Sequence, residues 1–394
     1  MAERRAPVPA LRRARVEIDL GALERNFDRV ASHVPPARVL AVVKADAYGH
    51  GAIEVARCLE PRGVAGFAVA LAEEGIELRG AGVRAPVLVL SPLPREAYPF
   101  LRRYRLTPAI SGVDQLAALE AFALESRWPV GVHLKFDTGM SRLGMPWRDA
   151  GEILDRVRRS AVLRLEGVMS HLAEAETPDS PANEEQAARF ETVLGRLAPA
   201  ERETVAVHLA NSAAALHRPE ERHGLVRCGL ALFGLDPARP RAAGAFEPVA
   251  TVVAEIVQVK ELEAGERVGY GGRWVAQRPS RIAIVPVGYA DGYSWRLGNR
   301  GEALVGGRRV PVAGAVSMDL LALDVTDAEA SVGDEVVLAG RRGAAELGVG
   351  DLAAAAETVP YELLCLLGLR LPRVAVRGDR PAAVDRRSEA PVSR

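Results

Sequence analysis

The segment Ala41-Val42-Val43-Lys44-Ala45-Asp46-Ala47-Tyr48-Gly49-His50-Gly51 places a single lysine at the end of an apolar run. The apolar residues 39–43 stop at Lys44, and small and polar residues with two glycines follow before a helical pattern begins. This order predicts a buried strand, a lysine at its carboxyl end and a turn into a helix. Burial lowers the pKa of a lysine and makes its amine a better nucleophile toward a carbonyl. The segment therefore suits a lysine that forms a Schiff base, and it also fits a strand-end lysine that reaches solvent.

Eight short apolar, β-branched segments recur through the first 240 residues. They lie at 38–44, 66–70, 86–90, 106–110, 131–136, 165–170, 205–210 and 225–233. Amphipathic stretches separate most of them, for example 112–124 and 181–197. This count and size predict an α/β fold, a TIM (β/α)8 barrel. A doubly wound sheet is the alternative, but no GxGxxG fingerprint follows the first strand.

The pattern changes near residue 243, where β-rich runs separated by glycine turns replace the alternation. The runs cover 249–259, 281–287, 310–316 and 335–338, and one amphipathic helix begins near residue 351. We therefore expect a barrel over 15–243 and a mostly β C-terminal domain over 244–376, with 15–20 able to pair with the second domain. The flanking segments 1–14 and 377–394 are expected to be a flexible extension and a disordered tail.

Composition and charge exclude several function classes. Lys+Arg and Asp+Glu number 51 each, which gives no reason to expect nucleic acid or an anionic membrane as partner. No apolar run approaches the ~18 residues of a membrane span, and the basic N-terminus lacks the apolar core of a secretory signal. Cys58, Cys228 and Cys365 form no CxxC pair, which argues against a disulfide framework and against a metal site of the zinc type. These features favour a cytoplasmic protein.

Polar and cationic residues follow five of the eight predicted strands. They are Lys44 after the first, Lys135 to Arg142 after the fifth, Ser170 and His171 after the sixth, His208, Asn211 and Ser212 after the seventh, and Arg227 with Gly229 and Leu230 on the eighth. Barrel enzymes carry their chemistry at the carboxyl ends of the strands, so these groups are predicted to line one mouth. Solvated loops scattered around the barrel are the alternative.

Individual residues at this mouth suit particular tasks. Ser212 and the amides near Gly229 and Leu230 follow strands seven and eight, where barrels often bind phosphate. His171 is suited to stack on a cofactor ring, although a lone histidine is more often a core residue bonded to a carbonyl. Arg227 is permanently protonated, and a surface salt bridge is its alternative role.

Nine motifs resemble, in the same order, those of the bacterial alanine racemases, which use pyridoxal phosphate. They are the Lys44 segment, 133–140 with Arg142, 170–171, 210–213, 227–230, 268–272, 287–292, 317–319 and 360–362. The resemblance covers about residues 15 to 375. It implies interconversion of L- and D-alanine by two bases, supplying D-alanine for peptidoglycan.

The resemblance also implies roles for individual residues. Lys44 would hold pyridoxal phosphate covalently and act as one base, and Tyr270 of a neighbouring subunit would act as the other, so a homodimer with shared sites is implied. Arg142 would contact the cofactor's phenolic oxygen and the substrate carboxylate, and Lys135 resembles a lysine often carbamylated in this family to hold that arginine. The remaining implied contacts are phosphate binding by Tyr48, Ser212, Gly229, Leu230 and Tyr361, a pyridine-nitrogen contact by Arg227, a backbone contact of Met318 with the substrate carboxylate, and Tyr289 at the entrance.

Arg227 bears on the type of reaction. A guanidinium facing the pyridine nitrogen would keep that nitrogen unprotonated and weaken the electron sink, which favours proton exchange over transamination. Two bases on opposite faces of a planar intermediate allow a proton to leave one face and return on the other without movement of the substrate.

Several alternatives stay open at this point. Ser317, Phe233 and Leu320 depart from the common family residues, so another small amino acid such as serine is an alternative substrate. A decarboxylase of basic amino acids on the same architecture is disfavoured by Arg227 and Tyr270, and a single-domain cofactor carrier is disfavoured by the β-rich second half. A sugar-processing barrel would need two carboxylates at strand ends, and Asp137 is the one candidate.

Overall fold

The computed structural model describes residues 11–242, 244, 246–378 and the backbone of 380–381. They form two compact units. One unit is Leu23–Glu247, and the other combines the residues up to Ala22 with those from Pro248 onward. Residues 1–10 of the expected extension and nearly all of the expected tail lie outside the described residues. Across the described part of the chain, every helix is too short or too polar to span a bilayer.

The first unit is a nearly closed, eight-stranded parallel barrel. After β1 (Ala14–Asp19), which belongs to the second unit, the strands are β2 (Arg38–Val42), β3 (Gly66–Val69), β4 (Val87–Val89), β5 (Thr107–Ile110), β6 (Val130–Asp137), the two-residue β7 (Met145–Pro146), β8 (Leu163–Met169), β9 (Ala206–His208) and β10 (Leu225–Cys228). The barrel order is β10-β2-β3-β4-β5-β6-β8-β9, with β7 beside the end of β6. The Arg227 N–H donates to the Ala210 carbonyl at 3.0 Å and links β10 to the chain just after β9. The predicted barrel is confirmed.

Helices precede and separate the barrel strands. They are α1 (Leu20–His33), α2 (Lys44–Gly49), α3 (Ala52–Leu59), α4 (Ala72–Gly80), α5 (Tyr98–Tyr104), α6 (Val113–Glu125), α7 (Ala150–Arg159), α8 (Pro181–Leu194), α9 (Pro199–Thr204) and α10 (Ser212–His217). The two stretches with helical spacing correspond to α6 and α8. The strand expected over 225–233 is too long, because the chain turns after Cys228 and the Leu232 N–H donates to the Gly229 carbonyl. The apolar residues of that turn are buried, so in sequence they read as a continuation of the strand.

The barrel interior explains why its strands read as continuous apolar runs. Parallel strands are covered on both faces, so alternation of polar and apolar residues is lost. One buried cluster consists of Leu40, Val42, Ala68, Leu88, Ala109, Met169 and Leu225, contributed by six of the eight strands.

The second unit is mostly β. Its further strands are β11 (Ala250–Glu255), β12 (Gln258–Leu262), β13 (Arg267–Val268), β14 (Trp274–Val275), β15 (Ser280–Val285), β16 (Glu302–Val305), β17 (Arg308–Pro311), β18 (Leu321–Asp324), β19 (Glu335–Arg342), β20 (Ala345–Leu347), β21 (Arg373–Arg377) and β22 (Arg380–Pro381), with helices α11 (Val349–Ala355) and α12 (Pro360–Leu366). The main sheet has the order β17-β16-β19-β11-β1-β21-β22, with β20 beside β19. Smaller sheets are β12-β15-β18 and β13-β14.

The N-terminal strand β1 lies inside the main sheet of the second unit, antiparallel to β11 and parallel to β21. Within the expected flexible segment 1–14, Ala14 begins β1 and the Arg12 guanidinium pairs with Asp291 at 2.8 Å. The strand expected over 310–316 ends early, because β17 stops at Pro311 and Val312 adds one isolated bridge to Leu323 of β18. Proline lacks the N–H that a ladder needs and Gly314 has φ +81°, so the strand does not continue.

We predict that Gly66→Ala destabilises the barrel by about 2 kcal/mol or more. Gly66 has φ +156°, and a Cβ there would lie 2.6 Å from the Pro86 carbonyl oxygen, which is backbone and cannot swing away. Chemical denaturation of the variant measures the loss of unfolding free energy. Gly80→Ala is the matched control, because no atom lies within 4 Å of its added Cβ. An equal midpoint for Gly66→Ala and the wild type would contradict the close approach of β3 to the Pro86 segment.

Candidate active site

Lys44 lies two residues after the end of β2, and a left-handed turn follows it. Residues Ala45, Asp46, Ala47 and Tyr48 have φ between 52° and 54° and ψ between 41° and 52°. An L-residue in this conformation costs roughly 1–2 kcal/mol, so four in succession cost on the order of 4–8 kcal/mol. The sequence predicted a turn here, but its glycines stand at 49 and 51 and gave no signal for a left-handed segment of non-glycine residues.

Hydrogen bonds and stacking hold the far end of this turn. The Asp46 carbonyl accepts from the Gly51 N–H at 2.9 Å, and the Asp46 carboxylate accepts from the Ala52 N–H at 2.7 Å. The His50 ring stacks on Phe233 with 4.4 Å between centroids. The Lys44 amine lies 6.0 Å from the centre of the Tyr48 ring, so the turn brings both side chains to one place.

The loops after the seventh and eighth barrel strands meet Tyr48. The Ser212 hydroxyl oxygen accepts from the Gly229 N–H at 3.0 Å and from the Ala231 N–H at 3.4 Å. A Cβ at Gly229 would lie 2.7 Å from the Tyr48 hydroxyl, so any larger residue would displace that side chain. Leu230 is buried beside them. The structure thus brings together four of the five residues to which the resemblance assigned phosphate binding.

Arg227 is buried at the same mouth, with 4% of its surface exposed. Its Nη1 donates to the His208 carbonyl at 2.7 Å and contacts His208 Nδ1 at 3.0 Å. Its Nη2 donates to the Ser170 and Leu209 carbonyls at 2.8 and 2.9 Å and contacts His171 Nδ1 at 3.0 Å. Within the described residues no carboxylate pairs with Arg227, and none accepts from its Nε–H. Burial lowers the pKa of Arg227 to about 10, so it remains charged at neutral pH.

Three imidazoles form an array around this guanidinium. Arg227 contacts His171 and His208, and His208 Nε2 lies 2.8 Å from His133 Nδ1. Burial and the Arg227 charge lower the pKa of His133 to about 4. Burial also holds the pKa values of His171 and His208 well below 6.5. The sequence analysis kept a bond to a backbone carbonyl as the alternative role of the His171 ring. In the structure, Nδ1 of that ring contacts Arg227 instead.

Lys135 lies in a cationic part of the barrel mouth and is 7% exposed. Burial, followed by the charges of Arg227 and Arg142, lowers the pKa of Lys135 from 10.5 to about 8. Asp137 organises the loop that carries Arg142, because its carboxylate accepts from the Gly139 and Ser141 N–H groups at 2.9 and 3.1 Å. Arg142 itself is exposed.

Gln186 on α8 is a buried residue of this site that the sequence did not reveal. Its amide nitrogen donates to the His171 carbonyl at 2.9 Å and its oxygen accepts from the Ala173 N–H at 2.8 Å. The same nitrogen contacts the Thr138 hydroxyl at 3.3 Å. Gln186 therefore connects the loops after the fifth and sixth barrel strands. A buried glutamine within an amphipathic helix was the available signal, since a buried amide requires partners.

The other predicted residues lie in the second unit. Tyr270 is 77% exposed on a 3₁₀ turn, next to Gly269 and Gly271, both with positive φ. Tyr289 is 44% exposed and Met318 is 53% exposed. The Met318 carbonyl accepts from the Ala290 N–H at 3.0 Å, so the Tyr289 turn and the Met318 loop are joined. Tyr361 lies in the first turn of α12.

Asp291 anchors the Tyr289 turn and the Met318 loop. Its side chain is fully buried, accepts two hydrogen bonds from Arg12 at 2.8 and 2.9 Å, and lies 3.2 Å from Arg370 Nε. Arg370 also donates to Asp319 at 2.7 Å. Two arginines from opposite ends of the chain thus fix the backbone beside Tyr289.

Comparisons with known proteins identify the family to which this fold belongs. The family model for the alanine racemase N-terminal domain matches residues 18–237, and that for the C-terminal domain matches residues 249–375. The alanine racemase of a Nostoc species is 40% identical over 373 residues, covering 92% of this chain and 96% of that protein. The crystal structure of alanine racemase from E. faecalis has a TM-score of 0.86 at 36% identity, covering 93% of this chain and 98% of the other.

A further solved structure is the alanine racemase from Bartonella henselae with covalently bound pyridoxal phosphate, with a TM-score of 0.84 at 30% identity. It covers 92% of this chain and 99% of the other. The fold and the barrel mouth define a two-domain barrel enzyme whose mouth carries a strand-end lysine and a buried arginine. The chain belongs to the alanine racemase family, and the predicted resemblance is confirmed.

We predict that His133, His171 and His208 are all neutral, with the proton on Nε2, between pH 6 and pH 8. A guanidinium only donates, so the Nδ1 atoms of His171 and His208 must accept, and His208 Nε2–H then donates to His133 Nδ1. Nitrogen NMR of histidine-labelled protein distinguishes the two tautomers. Arg227→Met is the control, because without the guanidinium the Nδ1 atoms of His171 and His208 no longer have to accept a hydrogen bond from residue 227. A protonated Nδ1 on any of the three in the wild type would refute the array.

Proposed function

We propose that this protein is a pyridoxal-phosphate-dependent racemase that interconverts L- and D-alanine. The supporting observation is the buried Arg227, a permanent cation at a barrel mouth whose described partners are carbonyls and neutral imidazoles. A carboxylate at this position would favour decarboxylation or transamination chemistry, because it would stabilise a protonated pyridine.

The residues at the mouth fit pyridoxal phosphate. Lys44 offers an amine for the aldehyde, and the Nε–H of Arg227 is a donor available to a pyridine nitrogen. Ser212, Tyr48 and the Gly229 backbone meet at one place, where a Cβ on residue 229 would crowd the Tyr48 hydroxyl, and a phosphate can approach the backbone there. With Lys135 and Arg142 also present, the surroundings are cationic, which suits the anionic phosphate and the substrate carboxylate.

The use of lysine supports the same assignment. Only Lys44, Lys135 and Lys260 are lysines among the 51 basic residues of the chain, and all others are arginines. A guanidinium does not deprotonate in proteins, so it forms neither an imine nor a carbamate. Two of the three lysines thus lie at the barrel mouth, where amine chemistry is needed.

When bound, pyridoxal phosphate withdraws electrons from the Cα of the attached amino acid and acidifies its Cα–H. Arg227 would donate to the pyridine nitrogen without giving up its proton, which would limit that withdrawal and keep the proton exchange at Cα. Lys44 would accept or return this proton on one face, through its amine Nζ. Arg142 would orient the substrate carboxylate, and His171 would pack on the ring.

We assign the second base to Tyr270 of a neighbouring subunit. Its phenolic oxygen is exposed on a glycine turn, so a second chain can reach it. In this homodimer, Met318 supplies a backbone contact for the substrate carboxylate, Tyr289 narrows the entrance, and Tyr361 adds a phosphate contact. The two bases then address opposite faces of the substrate without moving it.

Lys135 is proposed to be carbamylated. Near pH 7.5 a pKa of about 8 leaves roughly a quarter of its amine neutral. The nitrogen lone pair of that amine attacks CO₂, an N–C bond forms, and one proton leaves the nitrogen. The product is an anion beside three cationic side chains, Arg227, Arg142 and Lys44. The protonated amine of Lys135 would instead add a fourth positive charge. The carbamate would then hold Arg142.

The first prediction for this function concerns the two bases. Lys44→Ala and Tyr270→Ala homodimers should each lose racemase activity, and borohydride should fix the cofactor to Lys44 in the wild type. A heterodimer of the two variants has one site with both defects and one with neither, so it should regain activity. Verified heterodimers that remain inactive would show that both bases come from one chain. If the wild-type protein does not racemise alanine, the proposed function itself is wrong.

The second prediction concerns Lys135. Lys135→Ala should lower kcat by about ten- to a hundredfold, because Arg142 is no longer held in place. Small carboxylates such as acetate should restore part of the activity, since they replace the anion. Lys260 is an exposed lysine on β12, so Lys260→Ala is the matched control. Its kcat should equal that of the wild type, and acetate should not raise it. Native mass spectrometry in bicarbonate should show one added CO₂ per chain in the wild type and none in Lys135→Ala. A wild-type mass without the added CO₂ would overturn the proposed carbamate.

A further inference from the structure

We propose that Glu74 is a positioning residue that directs the Lys44 amine by clamping the first residue of the left-handed turn. This inference rests on the proposed function, because it concerns the lysine that holds the cofactor. Glu74 lies in the first turn of α4, after the second barrel strand, and no motif of the sequence pointed to it.

Glu74 bridges the loops that leave two neighbouring barrel strands. Its Oε1 accepts from the Ala45 N–H at 2.6 Å, in the peptide bond that directly follows Lys44. Its Oε2 accepts from the Ala70 N–H at 2.7 Å and from the Leu71 N–H at 3.0 Å, just after β3. One carboxylate therefore ties the chain after β2 to the chain after β3.

The contact with Ala45 acts at the critical end of the turn. The far end is held from within, since Asp46 binds the Ala52 N–H. At the near end the Val43 N–H, just after β2, donates to the Ala68 carbonyl at 2.9 Å, and the Glu74 carboxylate binds the N–H of the peptide that follows Lys44. The rotation of that peptide sets the direction of the Lys44 side chain.

A carboxylate is required for this task. All three bonded groups are backbone donors, so both oxygens of residue 74 must accept. Glu74→Gln keeps one acceptor and turns an NH₂ donor toward an N–H donor, which breaks one side of the bridge. Glu73 lies in the same turn and is exposed, so Glu73→Gln makes the same chemical change away from the bridge.

The test separates the amine from the rest of the cofactor site. Apoprotein is titrated with pyridoxal phosphate and with pyridoxine phosphate, which carries the ring and phosphate but no aldehyde. In Glu74→Gln the dissociation constant for pyridoxal phosphate should rise about tenfold or more, because the Lys44 amine is misdirected. The constant for pyridoxine phosphate should stay within about twofold of the wild type, and Glu73→Gln should match the wild type for both ligands.

Other outcomes decide against the inference. Equal weakening of both ligands in Glu74→Gln would mean general damage to the site, and unchanged affinity for pyridoxal phosphate would mean that Glu74 does not direct Lys44. Wild-type protein that binds neither ligand would instead overturn the proposed function.

A second variant tests the mechanism of the effect. Glycine adopts the left-handed region readily, so Ala45→Gly in the Glu74→Gln background should restore part of the affinity for pyridoxal phosphate. If Glu74→Gln does not fold, Glu74→Asp supplies a shorter carboxylate that cannot span both loops, and the same ligand-selective loss is expected. A folded Glu74→Asp protein with wild-type affinity for pyridoxal phosphate would refute the clamp.

Discussion

The buried guanidinium of Arg227 is the interaction on which the barrel mouth depends. Its backbone N–H links β10 to the chain after β9, and its side chain binds carbonyls at the carboxyl ends of the sixth and seventh barrel strands. A buried charge without partners would cost several kcal/mol, so these carbonyls and imidazoles must stay in place. The same contacts that satisfy the charge therefore fix the ends of three strands. Burial is the main cause that lowers the pKa values of His171 and His208 and keeps both neutral, and the Arg227 cation beside them adds to it.

A second constraint is the left-handed turn after Lys44. Its four non-glycine residues adopt a conformation that is unfavourable for each of them, and such strain persists only where the surroundings determine it. Here the surroundings are specific. Glu74 holds the beginning, Asp46 holds the end, and the Tyr48 hydroxyl sits over Gly229. The strain is coupled to the site, because the same turn presents both the amine and the hydroxyl.

The second unit uses charge to fix its exposed groups. Asp291 is fully buried and pairs with Arg12 and Arg370, and the loops it anchors carry Tyr289 and Met318. Exposed side chains gain little from packing, so their positions depend on the backbone that carries them. The ion pair of Arg12 with Asp291 also gives the N-terminal segment a structural contact. Composition alone had marked that segment as a flexible extension.

The sequence by itself determined the barrel, the β-rich second unit and the identity of the residues at the strand ends. These follow from apolar periodicity and from the rule that parallel strands deliver their carboxyl ends to one face, and both are local or nearly local properties. The tertiary structure alone decided how those residues act on one another. The acceptor roles of His171 and His208, the lowered pKa of Lys135, the clamp by Glu74 and the bridge by Gln186 depend on residues as many as 92 positions apart in the chain. No pattern along the chain encodes such contacts, because they depend on burial and on distances that exist only after the strands have closed.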